Sequence, residues 1–218
     1  MTLAIFDLDN TLLSGDSDHG WGNFLIKKKL VEEKSYKLAN EKFYEQYKQG
    51  MLDIHEYSAF SFRPLTEHSI KELKVLHDEF MGDVIFPMIG IKAKNLVKYH
   101  KNKKHILLVI TATNSFITRP IVEAFGISHL LATEPKIVNG RYDNSIEGIP
   151  CFHRGKVTRL NEWLKQNGFD LGGSYFYSDS HNDLPLMEIV DHAIAVDPDE
   201  KLKKIATQKG WEIISLLD

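Results

Sequence analysis

Short, unbroken apolar runs recur along this chain, and each is cut off by hydroxyl or carboxylate side chains. Leu3 to Phe6 runs into Asp7-Leu8-Asp9-Asn10-Thr11, Ile106 to Ile110 into Thr111-Ala112-Thr113-Asn114, and Tyr175-Phe176-Tyr177 into Ser178-Asp179-Ser180. Runs of that length predict strands buried on both faces, each ending in a polar loop. Helical patterns follow over 91–101, 115–125, 155–166 and 184–190, with Gly126 and Asn167-Gly168 as stops. Two more strands are expected at 193–196 and 211–214, with a helix over 199–209 between them. Strand alternating with helix predicts the α/β class: a Rossmann-like parallel sheet of five or six strands, flanked by helices, with its site on the carboxyl edge.

The rhythm breaks over residues 15–84, which carry amphipathic, charge-rich helical patterns and no convincing strand. We read them as a helical insertion, leaving 1–14 and 85–218 as the core. Within it Leu38, Phe43, Tyr47 and Met51 recur near helical spacing, while Lys27-Lys28-Lys29 and Glu32-Glu33-Lys34 have the look of solvated faces. Asn139-Gly140, set between Lys136-Ile137-Val138 and Arg141-Tyr142, predicts a small antiparallel β-hairpin flap.

Composition narrows the field. The chain has 218 residues, 43% hydrophobic and 26% charged, which suits one globular domain carrying an insertion. Lys and Arg number 27 against 30 Asp and Glu, a net charge of −3 that suggests no nucleic-acid partner. The single cysteine, Cys151, has no intramolecular partner and is expected in the core. The first apolar run is too short for a signal sequence or membrane span, so a cytoplasmic, unprocessed protein with no membrane partner is expected. HExxH, GxxxxGK, GxGxxG and GxSxG are all absent, which argues against zinc hydrolysis, P-loop, dinucleotide and serine-hydrolase chemistry.

The strand ends carry the candidate chemistry. Folding the predicted sheet would gather Asp7, Asp9, Asp179 and Asp183 near one point. Two like charges 4 Å apart repel by about 4 kcal/mol at an effective dielectric near 20. Such a cluster calls for a cation, and an all-oxygen donor set suits Mg²⁺. Lys156 and the Thr111 hydroxyl add donors for phosphate oxygens, so the expected partner is a small phosphomonoester.

Taken in order, these residues resemble the haloacid dehalogenase (HAD) superfamily, in its phosphoserine-phosphatase-like branch with a helical cap. Asp7-Leu8-Asp9-Asn10-Thr11 is similar to the family's DxDxT signature, Thr111 to its second motif, Lys156 to its third, and Asp179-Ser180-His181-Asn182-Asp183 to its fourth. The resemblance implies a Mg²⁺-dependent phosphatase working through an aspartyl-phosphate intermediate. Asp7 would be the nucleophile and Asp9 the general acid and base. The implied metal ligands are Asp7, the Asp9 carbonyl, Asp179 and Asp183. Thr111, the Ala112 N–H, Lys156 and Asn182 would bind phosphate, and Thr11 would brace the nucleophile loop.

The resemblance also puts substrate choice in the cap. Asp16 and Asp18 could meet a substrate amine and Arg63 a carboxylate, while Trp21 is expected to pack. An amine-bearing ester such as phosphoserine or histidinol phosphate follows. Thr111-Ala112-Thr113 and Ser178-Asp179-Ser180 depart from the Ser-Gly-Gly and Gly-Asp-Gly typical of phosphoserine phosphatases. The same motifs also suit a phosphotransferase, or a receiver-like phospho-acceptor module, though the latter needs neither Asp9 nor a cap.

Overall fold

Leu3 and Ile5 face one way from the first strand and Ala4 and Phe6 the other, yet all four are buried. That can only happen in a strand covered on both sides. In the computed structural model, which describes residues 1–217, β1 (Leu3–Phe6) lies at the centre of a seven-stranded sheet. The others are β2 (Ile106–Asn114), β3 (His129–Val138), β4 (Arg141–Glu147), β5 (Tyr175–Ser178), β6 (His192–Val196) and β7 (Glu212–Ile214), in the order β4-β3-β2-β1-β5-β6-β7. Every pairing is parallel except β3 with β4. The strand order reverses at β1, with β2 on one side and β5 on the other. At such a switch point a crevice opens beyond the strands' carboxyl ends.

Helices cover both faces. Leu3, Ile5, Leu108, Ile110 and Phe176 pack under Leu160 and Leu164 of α8 (Arg154–Asn167) and Leu202 and Ala206 of α10 (Glu200–Lys209). On the other face, Phe6 and Val109 meet Trp21 and Phe24 of α1 (Ser17–Lys27) and Phe80 of α4 (Ile70–Phe80). Val97 of α6 (Ile91–Asn102) and Ile117 and Ile121 of α7 (Ser115–Ala124) complete that layer. Trp21 packs, as its setting predicted, stacked on Phe24 and edge-on to Phe80 and Phe116.

The insertion is helical throughout, but its helices divide. α1 and α4 belong to the sheet's own core, and α3 (Ile54–Thr66) adds Phe62 and Leu65 to it. α2 (Glu33–Gln49) buries only Asn40 completely. Its Leu38 is exposed, as is Met51 beyond its C-terminus, so that apolar spacing marks no core stripe. A π-helical turn at Met81–Ile85 and the short α5 (Phe86–Met88) lead back to the sheet.

Several boundaries differ from expectation. β2 extends to Asn114, where it pairs with Thr133 across a register shift after Ile110. A shift of that kind re-aims the side chains of Thr111 and Ala112. β3 begins as a full parallel strand at His129, in a Leu-Leu-Ala stretch with no β-branched signal, so the sheet has one strand more than the pattern foretold. α9 (Leu184–Met187) is shorter than the expected 184–190, because a 3₁₀ turn takes up His181–Asp183 and the chain turns off at Glu188. The hairpin forms at Asn139-Gly140, both residues at positive φ as a tight turn requires. Cys151 is buried, its thiol pushed up to about 12 by burial, a packing residue. No helix among the described residues is long and apolar enough to cross a membrane.

Candidate active site

Asp7 follows β1 directly and its carboxylate meets Lys156 from the start of α8, Nζ to Oδ1 at 3.0 Å. The same ammonium donates to the Asp183 carboxylate at 2.7 Å, and Asp183 also accepts from Ser178 Oγ at 2.8 Å. Lys156 is placed by a backbone approach that only glycine permits: a Cβ on Gly155 would lie 2.0 Å from the Pro150 carbonyl oxygen. Burial pulls the Lys156 pKa down, but Asp183 and Asp7 together outweigh it and the net shift is upward, so the ammonium stays charged.

Around this triad the motif-one loop supplies its own fastenings. Thr11 Oγ1 donates to Asp179 Oδ1 at 3.0 Å and accepts the Asp179 N–H at 3.1 Å, so Thr11 braces the fourth motif. Asp9 turns the other way, accepting from Ser17 N at 2.6 Å and Thr113 Oγ1 at 2.8 Å. Burial, with Asp16 adding to it, raises Asp9 to about 7 against the opposing hydrogen bonds of Ser17 and Thr113. A carboxyl there can hold or release a proton near neutrality. Thr111, buried beside it, accepts from Thr113 N at 3.2 Å.

Asp7, Asp9, Thr111, Ala112 and Thr113 line a cavity from below. Asp16, Asp18, His19, Asn40, Phe43, Tyr44, Tyr47, Leu52, Ile54 and Tyr57, on and beside α1, α2 and α3, line it from above. Of the expected specificity residues, Asp16 and Asp18 therefore reach the cavity. Asp16 also caps α1, accepting His19 N at 2.8 Å. Asp18, only 8% exposed, accepts from Ser61 Oγ at 3.2 Å and from the Tyr57 hydroxyl. Burial lifts it to about 6; Tyr57 opposes the rise and the Asp9 charge adds to it.

One expectation needs correction. Arg63 does not reach the cavity: its side chain is 78% exposed on the outer face of α3, paired one turn on with Glu67 at 3.6 Å. Asp183, expected near the metal, accepts from Lys156 and Ser178 and lies close enough to Asp179 for its charge to raise that carboxyl. Asn182 Nδ2 donates to the Tyr47 carbonyl at 3.1 Å, which puts it at the seam with α2. The sequence reading missed His19, Asn40, Tyr44 and Tyr57. The polar and aromatic residues of α2 were the available signal, since a helix with no fully buried apolar residue must turn its rings toward something else.

The donor set can be tested against the expected ion. Among the described residues no three His, Cys, Asp or Glu side chains form a metal nest by themselves. Asp179 is nevertheless raised well above its ordinary value, by burial first and then by the charges of Asp7 and Asp183. Crowded carboxylates of this kind suit Mg²⁺, which is bound through carboxylates and completes its shell with water and phosphate.

Fold and site together define a class, and the comparisons agree with it. A family model for haloacid dehalogenase-like hydrolases matches residues 4–188. The chain belongs to that family, and within it is a phosphatase. It is 45% identical over 217 residues to a histidinol-phosphatase of Neisseria meningitidis serogroup C (strain 8013), covering 98% of each. With a phosphoserine phosphatase of Mycobacterium tuberculosis (strain ATCC 25618 / H37Rv) the identity is 27%, covering 96% of this chain and 69% of the other. A Bordetella pertussis Tohama I protein of unknown function has the same fold at TM-score 0.93, with 43% identity and full coverage of both chains. A substrate-bound phosphoserine phosphatase shares the fold at TM-score 0.72 and 18% identity, over 99% of this chain and 93% of that one.

Proposed function

We propose that this protein is a Mg²⁺-dependent phosphomonoesterase that hydrolyses a small, amine-bearing phosphate ester through an aspartyl-phosphate intermediate. Residues 1–14 and 85–218 form its catalytic core and 15–84 the inserted cap segment, of which α2 and α3 cover the cavity while α1 and α4 pack against the sheet. The observation that carries this reading is the Lys156 ammonium between Asp7 and Asp183, a contact joining residues 149 positions apart. It fixes Asp7 Oδ1 and leaves Oδ2 to attack.

Asp7 attacks phosphorus as the bond to the leaving oxygen breaks, and Asp9 gives that oxygen its proton. A water then attacks the phosphorus, giving a proton to Asp9 as the bond to Asp7 breaks. Thr111 and the Ala112 N–H hold the phosphoryl oxygens, and Lys156 offsets their charge. Asp7, Asp179 and the Asp9 carbonyl, with Asp183 coordinating directly or through water, would hold Mg²⁺, which would supply the charge that lets a phosphate dianion approach these carboxylates. The acids at Asp16 and Asp18, with the similarity to a histidinol-phosphatase, support the amine.

Hydrolysis of p-nitrophenyl phosphate should require added Mg²⁺. In Asp7→Asn it should fall by more than about 10⁴-fold in kcat with an unchanged circular dichroism spectrum. Turnover by that variant at the wild-type rate would overturn the mechanism.

A further inference from the structure

Catalysis uses the floor of the cavity and leaves its roof without a task. There the rings of His19, Phe43, Tyr44, Tyr47 and Tyr57 gather above the strand ends, with His19 and Tyr44 4.9 Å apart and Phe43 and Tyr57 5.3 Å apart. Among them Asp18 is buried against neutral hydroxyls alone in its recorded bonds, Ser61 and Tyr57. A buried carboxylate with no cation opposite is an unfilled half of an ion pair. Neither lysine nor arginine appears in the cavity lining. Lys156 is engaged below by Asp7 and Asp183, Lys48 stands over the Tyr44 ring and pairs with Glu45 at 3.1 Å, and Arg63 pairs with Glu67 outside.

We propose that the cavity selects a leaving group that is a flat-ringed ammonium without a carboxylate, its amine received by Asp18 and its ring by the aromatic walls. This deepens, and rests on, the phosphatase reading above. The absence of a cation matters as much as the acids: an amino-acid carboxylate would face Asp16 and Asp18 with nothing to offset it. Discrimination arises from repulsion as well as attraction. An ammonium gains from both the carboxylate and the ring faces, which favour cations.

L-Histidine carries a carboxylate where L-histidinol carries a hydroxymethyl group, and calorimetric titration of each into the full chain tests the inference without turnover. Histidinol should bind at least tenfold tighter than histidine, and Asp18→Asn should narrow the ratio below threefold. In steady-state assays kcat/KM for histidinol phosphate should exceed that for phosphoserine at least 100-fold, and the ratio of histidinol phosphate to p-nitrophenyl phosphate should fall at least tenfold in Asp18→Asn. Histidine bound as well as histidinol, neither bound, or phosphoserine turned over equally would overturn the inference. Loss of all p-nitrophenyl phosphate hydrolysis with Mg²⁺ present would instead strike the phosphatase reading, while the titrations still decide this one.

Discussion

Asp7 and Asp18 are both buried carboxylates on one cavity, but they are held in opposite ways. Asp7, on the core side, has an ammonium at 3.0 Å, and that ammonium is shared with Asp183, itself fastened to Ser178. Asp18, on the cap side, has hydroxyls where Asp7 has a cation. The core side thus carries its compensation within the chain, and the cap side leaves it to be completed by what binds. On the proposed mechanism, reaction chemistry would sit on strand ends whose positions the sheet fixes, and selection on helices whose side chains can change without disturbing the sheet.

The sharpest way to break this contrast is to remove the cation. Lys156→Met should leave Asp7 and Asp183 facing each other in a buried site, at a cost on the order of 3–5 kcal/mol. Urea denaturation should show the loss as a lower midpoint, and phosphatase activity should vanish with it. Stability equal to wild type would mean that the triad contributes nothing to holding the core side together.

The cap side should respond with the opposite sign. Folded Asp18 keeps its proton up to about pH 6, whereas an ordinary aspartate releases it near 3.8. The native state therefore binds more protons in that window, so stability falls as pH rises through it and the penalty persists above it. Asp18→Asn removes the penalty. The variant should be more stable than wild type at pH 8, by on the order of 1–3 kcal/mol, with the difference disappearing near pH 4. Matched thermal melts at the two pH values would read it; a variant less stable at pH 8 would show that the Ser61 and Tyr57 hydroxyls already satisfy the charge.

The same contrast explains what could be read in advance. Asp7, Thr111 and Asp179 were legible because each follows a short apolar run, and parallel-sheet physics brings such ends together; Lys156, at the start of a helix, was legible only through the order of the motifs. The His129 strand was not, since Leu130-Leu131-Ala132 has the length of a strand and the composition of a helix. Nor were His19, Asn40, Tyr44 and Tyr57, whose convergence depends on how α1, α2 and α3 are tilted, something no local spacing encodes. Arg63 failed for a related reason: a helix position four residues from Glu67 has a partner on its own surface.

The smallest effect is expected where the two sides meet. Asn182 Nδ2 holds the Tyr47 carbonyl near the end of α2, and Lys201 Nζ reaches the Gln49 carbonyl at 3.3 Å. Gly50, at φ +72 beside them, leaves room for His181, whose Nε2 would lie 3.0 Å from a Cβ there. The Asn182 bond joins the fourth motif to the roof, and the Lys201 bond joins α10 to it. Removing one neutral hydrogen bond typically costs about 1 kcal/mol, spread here over how firmly α2 sits above the substrate. Asn182→Ala should therefore raise KM a few-fold and leave kcat within about threefold of wild type, with faster amide exchange along α2. A phosphate ligand behaves differently: losing a donor to the transition state lowers kcat by about 10²-fold or more. A large kcat loss with unchanged exchange in α2 would move Asn182 from the seam to the reaction, and with it the line between the side that reacts and the side that selects.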